Sequence, residues 1–342
     1  MSSSRYEEAG VSIDAQDKAI DGIKESVSRT ATNRVLAGIG SFGGLFDGRF
    51  SELEHPVLVA STDGIGTKLK IAFDSGRHDT VGQCLVNHCI DDILVQGARP
   101  LFFMDYIATG KLKPEVVTDI VKGMAVACSA NDCAILGGEM AEMPGFYNAG
   151  EYDVAGFIVG VVDKHKVLGA HNVKAGQRLL GLSASGLHTN GYSLARKIIF
   201  EEQNLGLNDK IPGMQERVVD VLLAVHRSYY PILQPLLERN LVQAMSHITG
   251  GGFLDNIPRV LPKDVDAVIR RDAYPIPPLF QFLKSAGALD DEAYQVFNMG
   301  IGMVLMVDPE DEAQAKEALQ AAGEQVWDLG QIEVGSGRVR LI

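Results

Sequence analysis

Two consecutive α/β domains are the architecture the sequence predicts, and three observations predict it. Short apolar runs of strand length alternate with segments of helical period along the chain. Each half carries a glycine-rich turn between such a run and a helix. The length, 342 residues, is too great for one ordinary core and suits two domains of roughly 150–200 residues.

Residues 1–50 are polar and then glycine-rich, through Gly38-Ile39-Gly40-Ser41-Phe42-Gly43-Gly44. They read as a mobile lead-in that ends in a flexible loop. Residues 57–61 form a short apolar strand running into Thr62-Asp63-Gly64-Ile65-Gly66-Thr67-Lys68. Residues 80–98 read as a helix that is apolar nearly all round, hence buried. A strand at 101–107 precedes a helix opened by Pro114, with Val117, Ile120, Val121, Met124 and Cys128 at helical spacing up to residue 130. Strands at 133–136 and 154–162 complete this half. The polar, aperiodic stretch 163–177 marks the boundary, giving domains 1–168 and 169–342. The second series runs strand 178–183, helix 192–203, helix 218–240 and strand 243–248. A glycine loop with a helix, strand 265–269, helix 277–285, strand 302–307 and helix 310–322 follow.

Composition narrows the function. The hydrophobic fraction is 46% and the charged fraction 22%, which fits a globular chain rather than a disordered one. A net charge of -13 repels a phosphate polymer at long range, so nucleic acid is discounted as a partner. A small anionic substrate stays open, because local N–H groups and cations hold a phosphate against the global field. Cys84, Cys89, Cys128 and Cys133 form no CxxC pair and read as reduced thiols. No apolar run reaches membrane-spanning length and the first residues lack a signal core, so cytoplasm is expected.

Five segments carry candidate chemistry. Asp63-Gly64-Ile65-Gly66-Thr67-Lys68 sets a carboxylate, two glycines, a hydroxyl and a lysine after a strand, which is a corner for phosphate and metal. Its spacing is not that of a Walker A loop, and an ordinary Asp-Gly turn reads it as well. Val81, Leu85, His88, Asp92 and Val95 share one helix face, and an acid on such a stripe must be paired, protonated or bound to metal. Asp91 lies about 100° round the helix, and His88 reads as a satisfied core histidine. Gly137-Gly138-Glu139 follows a strand, at a position read as a strand-to-helix corner. Asp63, Asp92 and Glu139 together suit an oxygen-rich Mg²⁺ site. In the second half, Ser185-Gly186-Leu187-His188-Thr189-Asn190 and Thr249-Gly250-Gly251-Gly252 each feed a helix N-terminus, where an anion or a plain cap residue fits.

The ordered set of strings resembles the aminoimidazole ribonucleotide synthetase family. It comprises Tyr6 to Val11, Ser61 to Lys68, Asp92 to Tyr106, Gly137 to Pro144, Gly186 to Ser193, Ile248 to Phe253 and Phe297 to Met303. The resemblance implies a homodimer whose N-terminal sheets pair, with ATP near that interface. It implies metal and nucleotide acids at Asp63, Asp92 and Glu139, and a phosphate-facing lysine at Lys68. Asp91 departs from the asparagine frequent there. The expected nucleotide set is Gly43, Gly44, Asp63, Gly64, Gly66, Thr67, Lys68, Gly137, Gly138 and Glu139. The expected catalytic set is Lys68, Asp92 and His188. Ser185, Gly186, His188, Asn190, Thr249, Gly250, Gly251 and Gly252 form the ribonucleotide set. The implied reaction is ATP-dependent ring closure of formylglycinamidine ribonucleotide in purine biosynthesis, with Mg²⁺. The rivals are a kinase of the same superfamily, selenophosphate synthetase, which needs an N-terminal reactive cysteine, and a maturation protein modified at a C-terminal cysteine. This chain's first cysteine is Cys84 and it ends Arg340-Leu341-Ile342.

Overall fold

The structure, a computed structural model, describes residues 5–342 and divides into two compact units. One runs through Ile93 and takes in Pro100–Val161; the other comprises Leu94–Arg99 and Val162–Ile342. Met1 to Ser4, part of the polar lead-in, lie outside the described residues. No helix among the described residues is long and apolar enough to cross a membrane.

The first unit opens with helices α1 (Arg5–Glu8) and α2 (Ile13–Ser28) and a small antiparallel pair, β1 (Val35–Ala37) and β2 (Leu45–Phe46). This corrects the expected mobile lead-in. Its polar composition conceals a one-sided helix: Ala19, Ile23 and Val27 recur every four residues and are buried. Ser12 caps α2 by accepting from the Ala15 N–H at 3.2 Å.

Next come β3 (Pro56–Gly64), α3 (Leu69–Ser75), α4 (Asp79–Leu94), β4 (Arg99–Thr109), α5 (Pro114–Ala130), β5 (Ala134–Glu142) and β6 (Tyr152–Asp163). The four long strands lie in the order β3-β6-β4-β5. β4 and β5 are parallel, with Asp105 opposite Gly138 and Tyr106 opposite Glu139. Burial alternates along the sheet, and one face leaves Leu58, Met104 and Phe157 exposed at 63%, 38% and 42%. Glu142, at the end of β5, accepts from the backbone N–H groups of Ser12 and Leu112, both at 2.7 Å, and so clamps the start of α2. Helices α4 and α5 touch backbone to backbone. A Cβ on Gly82 would lie 2.0 Å from the Ile120 carbonyl oxygen, and one on Gly123 2.1 Å from that of Asp79.

The second unit contains β7 (Arg178–Ser183), α6 (Tyr192–Arg196) with a π-helical continuation at Lys197–Glu202, α7 (Val218–Leu222), α8 (Tyr230–Glu238) and β8 (Ala244–His247). It continues with α9 (Gly252–Asn256), β9 (Val265–Ile269), α10 (Pro278–Ala286), α11 (Asp290–Val296), β10 (Ile301–Val307), α12 (Glu312–Ala321), β11 (Val326–Val334) and β12 (Val339–Leu341). Its six strands lie in the order β12-β9-β11-β7-β10-β8. Every residue of β10 is buried, between antiparallel β7 and β8. The single helix expected over 218–240 is instead two. Pro231 sits in the first turn of α8, where its missing N–H costs nothing, and so starts a new helix. Residues 223–229 between them carry His226.

Replacing Gly82 by valine should force α4 off α5 and cost about 3 kcal/mol of overpacking. Urea unfolding followed by circular dichroism measures it. A loss below about 1 kcal/mol would mean that the two helices separate freely.

Candidate functional site

A cleft of about 750 Å³ opens along β5, a size typical of small-molecule sites. Five residues of the expected nucleotide set line it together: Gly43, Gly44, Gly137, Gly138 and Glu139. Gly44 packs on β5, where a Cβ would fall 2.3 Å from the Leu136 side chain, whereas nothing lies within 4 Å of a Cβ on Gly43. Glu139 is exposed but lies inside β5, which continues to Glu142. The expected strand-to-helix corner is therefore corrected: Gly137 and Gly138 stay in the strand, paired with β4, and the chain returns to β6 rather than to a helix.

Glycine at 138 makes room for Asp105. A Cβ there would lie 2.4 Å from Asp105 Oδ1. Asp105 lines the cleft yet is only 8% exposed. Burial pushes its carboxyl up to about 7, opposed only by a hydrogen bond from the backbone. The sequence expectation did not single it out. The available signal was a lone acid inside the apolar run Phe103-Met104-Asp105-Tyr106-Ile107.

Asp63 and Asp92 gather elsewhere in the same unit. His88 Nε2 on α4 lies 3.0 Å from Asp63 Oδ2 at the end of β3. One turn further along α4, Asp92 Oδ2 accepts from Ser61 Oγ at 3.2 Å. Cys89 feels both acids: burial first, then Asp63 and Asp92, push its thiol well above the ordinary range. Asp92 is half-buried, and the fully buried acid is its neighbour Asp91. Because α4 is enclosed nearly all round, helical phase did not resolve which of the two lies inside.

Glu139 does not join them. Strands β3 and β5 are opposite edges of the sheet, three strand spacings or about 14 Å apart. Among the described residues, no close group of ligand side chains contains Asp63, Asp92 and Glu139 together. Within one chain, then, Asp63 and Asp92 stand together, a carboxylate pair whose hard oxygens suit Mg²⁺, and Glu139 stands apart. Lys68 is also corrected. It is fully buried and its Nζ donates to Cys84 Sγ at 3.1 Å. Gly66, at φ +63°, turns the chain so that the following lysine enters the core, while Gly64, Gly66 and Thr67 stay exposed.

In the second unit the two expected loops meet: a Cβ on Gly250 would lie 3.2 Å from Asn190 Oδ1. Asn256 holds the glycine loop, its Nδ2 donating to the carbonyls of Thr249, Gly250 and Gly252 at 3.3, 3.2 and 2.8 Å. Thr249 Oγ1 donates to Asn256 Oδ1 at 3.1 Å. Gly251 and Gly252 have φ of +95° and +56°, and a Cβ on Gly252 would strike the Tyr294 carbonyl at 2.0 Å. Local geometry alone therefore demands these two glycines, whereas Gly250 is under no positive-φ constraint. Ser185 Oγ donates to the Val225 carbonyl and the Gly186 carbonyl accepts from Asn298 Nδ2.

His188 is buried at φ +60°, and its Nε2 accepts from the Ser185 N–H at 3.1 Å. Its neutral ring therefore carries the proton on Nδ1. It stacks on His226 at 4.0 Å, and His226 Nε2 lies 3.2 Å from His247 Nε2. The three rings lie close enough to share one metal ion. However, His188 Nε2 accepts from the Ser185 amide and its Nδ1 then carries the ring proton, so neither nitrogen offers a metal its lone pair in this arrangement. His226 was missed because the sequence placed it inside a helix; Pro231 was the signal of the break.

Known proteins agree on one family. The AIR synthase related protein N-terminal domain matches residues 50–162 and the C-terminal domain of that family matches residues 174–342. The phosphoribosylformylglycinamidine cyclo-ligase of Thermoanaerobacter pseudethanolicus is 47% identical over 337 residues, covering 98% of this chain and 99% of that protein. The protein of the same name from Cupriavidus necator is 51% identical, covering 96% and 93%. Among solved structures, hydrogenase maturation protein HypE in complex with ATP superposes with a TM-score of 0.70 at 16% identity, covering 98% of this chain and 93% of that one. Thiamine-monophosphate kinase from Stenotrophomonas maltophilia superposes at 0.69 with 16% identity, covering 94% and 95%. At such identities these two establish the shared fold alone.

The Asp105 carboxyl yields a pH prediction. Its folded value is about 7 against 3.8 in an ordinary setting, so only the folded chain keeps that proton between the two values. Stability should fall as pH rises from about 4 to about 7 and level off above. Asparagine cannot titrate, so the Tm of Asp105→Asn should gain on the wild type across that window and keep its lead beyond it. Parallel Tm curves throughout would show that the carboxyl titrates as it does in the unfolded chain.

Proposed function

The chain belongs to the AIR synthase related protein family, and from that premise we propose that it is an ATP-dependent cyclo-ligase of purine biosynthesis. It closes formylglycinamidine ribonucleotide to aminoimidazole ribonucleotide and releases ADP and phosphate. One observation carries this reading: identity of 46% to 51%, over nearly the full length of both chains, to proteins named phosphoribosylformylglycinamidine cyclo-ligase.

The chemistry defines what the chain must do. An amide oxygen is a poor leaving group. That oxygen attacks the γ-phosphorus of ATP, the bond to ADP breaks, and an imidate phosphate forms. The amidine nitrogen then attacks the activated carbon and loses its proton to a base, and phosphate departs with the former amide oxygen. The protein positions the phosphates, offsets their charge and excludes water. Gly43, Gly44, Gly137, Gly138 and Glu139 hold the nucleotide in the β5 cleft. The exposed Gly64, Gly66 and Thr67 offer N–H and hydroxyl groups to phosphate oxygens. Asp63 and Asp92 would hold Mg²⁺, which supplies charge neutralisation when bound. Ser185, Gly186, Asn190, Thr249 and Gly250 take the ribose phosphate. His188, with its proton on Nδ1, is the acid/base candidate in that loop. Residues 1–168 thus form the ATP-binding part and 169–342 the ribonucleotide-binding part, in the cytoplasm.

Direct phosphorylation of the amide oxygen is tested with isotope. With heavy oxygen in that amide, one labelled atom should appear in the released phosphate for each ring closed, and ADP release should require the ribonucleotide. Label in water with unlabelled phosphate would overturn the mechanism, and ADP release without the ribonucleotide would favour a kinase of another substrate.

Assembly follows from the open sheet face. Leu58, Met104 and Phe157 support a homodimer in which the four-stranded sheets of two copies pair. Light scattering should report a dimer at micromolar concentration and a monomer for Phe157→Asp. A monomeric wild type would remove this reading.

A further inference from the structure

We propose that Asp105 anchors the Watson–Crick edge of adenine in the β5 cleft. The inference rests on the assignment of that cleft to ATP and names the group that recognises the base. Ile20, Ile23, Ile135 and Phe157 line the cleft, and such apolar walls suit the two faces of a purine ring. A pocket of this kind gains its specificity from a few buried polar groups. Asp105 is the buried acid of this lining, 8% exposed. Its Oδ1 lies where the side chain of residue 138 would begin, so glycine at 138 is what leaves room for the carboxyl at the cleft lining.

The chemistry of the edge matches. A protonated carboxyl offers one O–H donor and one carbonyl acceptor side by side. Adenine offers the N1 acceptor beside the exocyclic amino donor, the edge by which proteins read an extruded base. An ionised carboxylate offers two acceptors and repels the N1 lone pair. The surroundings favour the neutral form. Burial raises this carboxyl to about 7. The Cys128 thiol on α5 feels its charge, Glu139 and Tyr106 are the other titratable groups of the cleft lining, and that lining holds no lysine, arginine or histidine.

The experiment measures ATP affinity of the full-length protein by calorimetry between about pH 6 and pH 8.5, for the wild type, Asp105→Asn and Asp105→Leu. Asparagine keeps a donor and an acceptor and cannot ionise; leucine keeps neither. Wild-type affinity should weaken several-fold as pH rises through about 7, relative to Asp105→Asn, which controls for the titration of ATP itself. Asp105→Leu should bind about tenfold more weakly throughout. A second probe, 1-deaza-ATP, lacks the ring nitrogen. The wild type should discriminate against it about tenfold and Asp105→Leu should not. Equal pH dependence in the wild type and Asp105→Asn, or equal discrimination in the wild type and Asp105→Leu, would sink the proposal while ATP binding stands. Failure of the wild type to bind ATP at any pH would remove the cleft assignment and this inference with it.

Discussion

The carboxylate of Glu142 is the point from which the ligand-binding part of the first unit is hung. Its two oxygens take the N–H groups of Ser12 and Leu112, so one side chain joins the end of β5, the first turn of α2 and the loop before α5. Hydrogen bonds to a charged acceptor contribute about 1.5–3 kcal/mol each. They add to the burial of Ala19, Ile23 and Val27, the apolar face of a helix whose sequence is mostly polar. The same helix supplies a wall of the cleft, so a contact at the far end of β5 helps to seat that wall. Paired with β4 from Ala134 to Glu142, the strand serves two further purposes along its length: its middle presents Gly137, Gly138 and Glu139, and its last residue holds the start of α2.

The absence of side chains is as much a building material here as their presence. Gly82 and Gly123 let two helices meet at backbone distance, and Gly138 gives its space to a carboxyl on the neighbouring strand. In the second unit, Gly251 and Gly252 adopt left-handed backbone, Gly252 beneath the Tyr294 carbonyl, and Asn256 ties off the carbonyls of Thr249, Gly250 and Gly252. A glycine-rich string thus carries two kinds of information that composition alone mixes: room for a ligand and room for the protein itself.

That mixture explains what was legible beforehand. Elements whose burial is complete or one-sided were read closely, as with α5, which begins at Pro114 and ends at Ala130, and β9, at Val265–Ile269. Alternating, partly exposed strands were not: β11 carries a register shift near Gly330 that breaks its pattern, and α11 is too short to show a period. In the cleft, the glycines and Glu139 were found because they cluster along the chain. Asp105 was not, because it reaches them only across a strand pairing. Lys68 was misplaced for the opposite reason. Its neighbours suggested an exposed turn, but one left-handed residue sends it inward, and no local string encodes that direction.

The strand order of the first sheet has a consequence for how the chain is made. β3 is complete at Gly64, yet its sheet neighbour is β6, which begins at Tyr152. A chain emerging from the ribosome carries β3 with no partner until the whole of α4, β4, α5 and β5 has followed. Closing so long a loop costs entropy before any pairing repays it. The nascent strand meanwhile shows Leu58 and an open edge to whatever surrounds it. Synthesis of this unit is thus a waiting period that ends when β6 takes its place between β3 and β4.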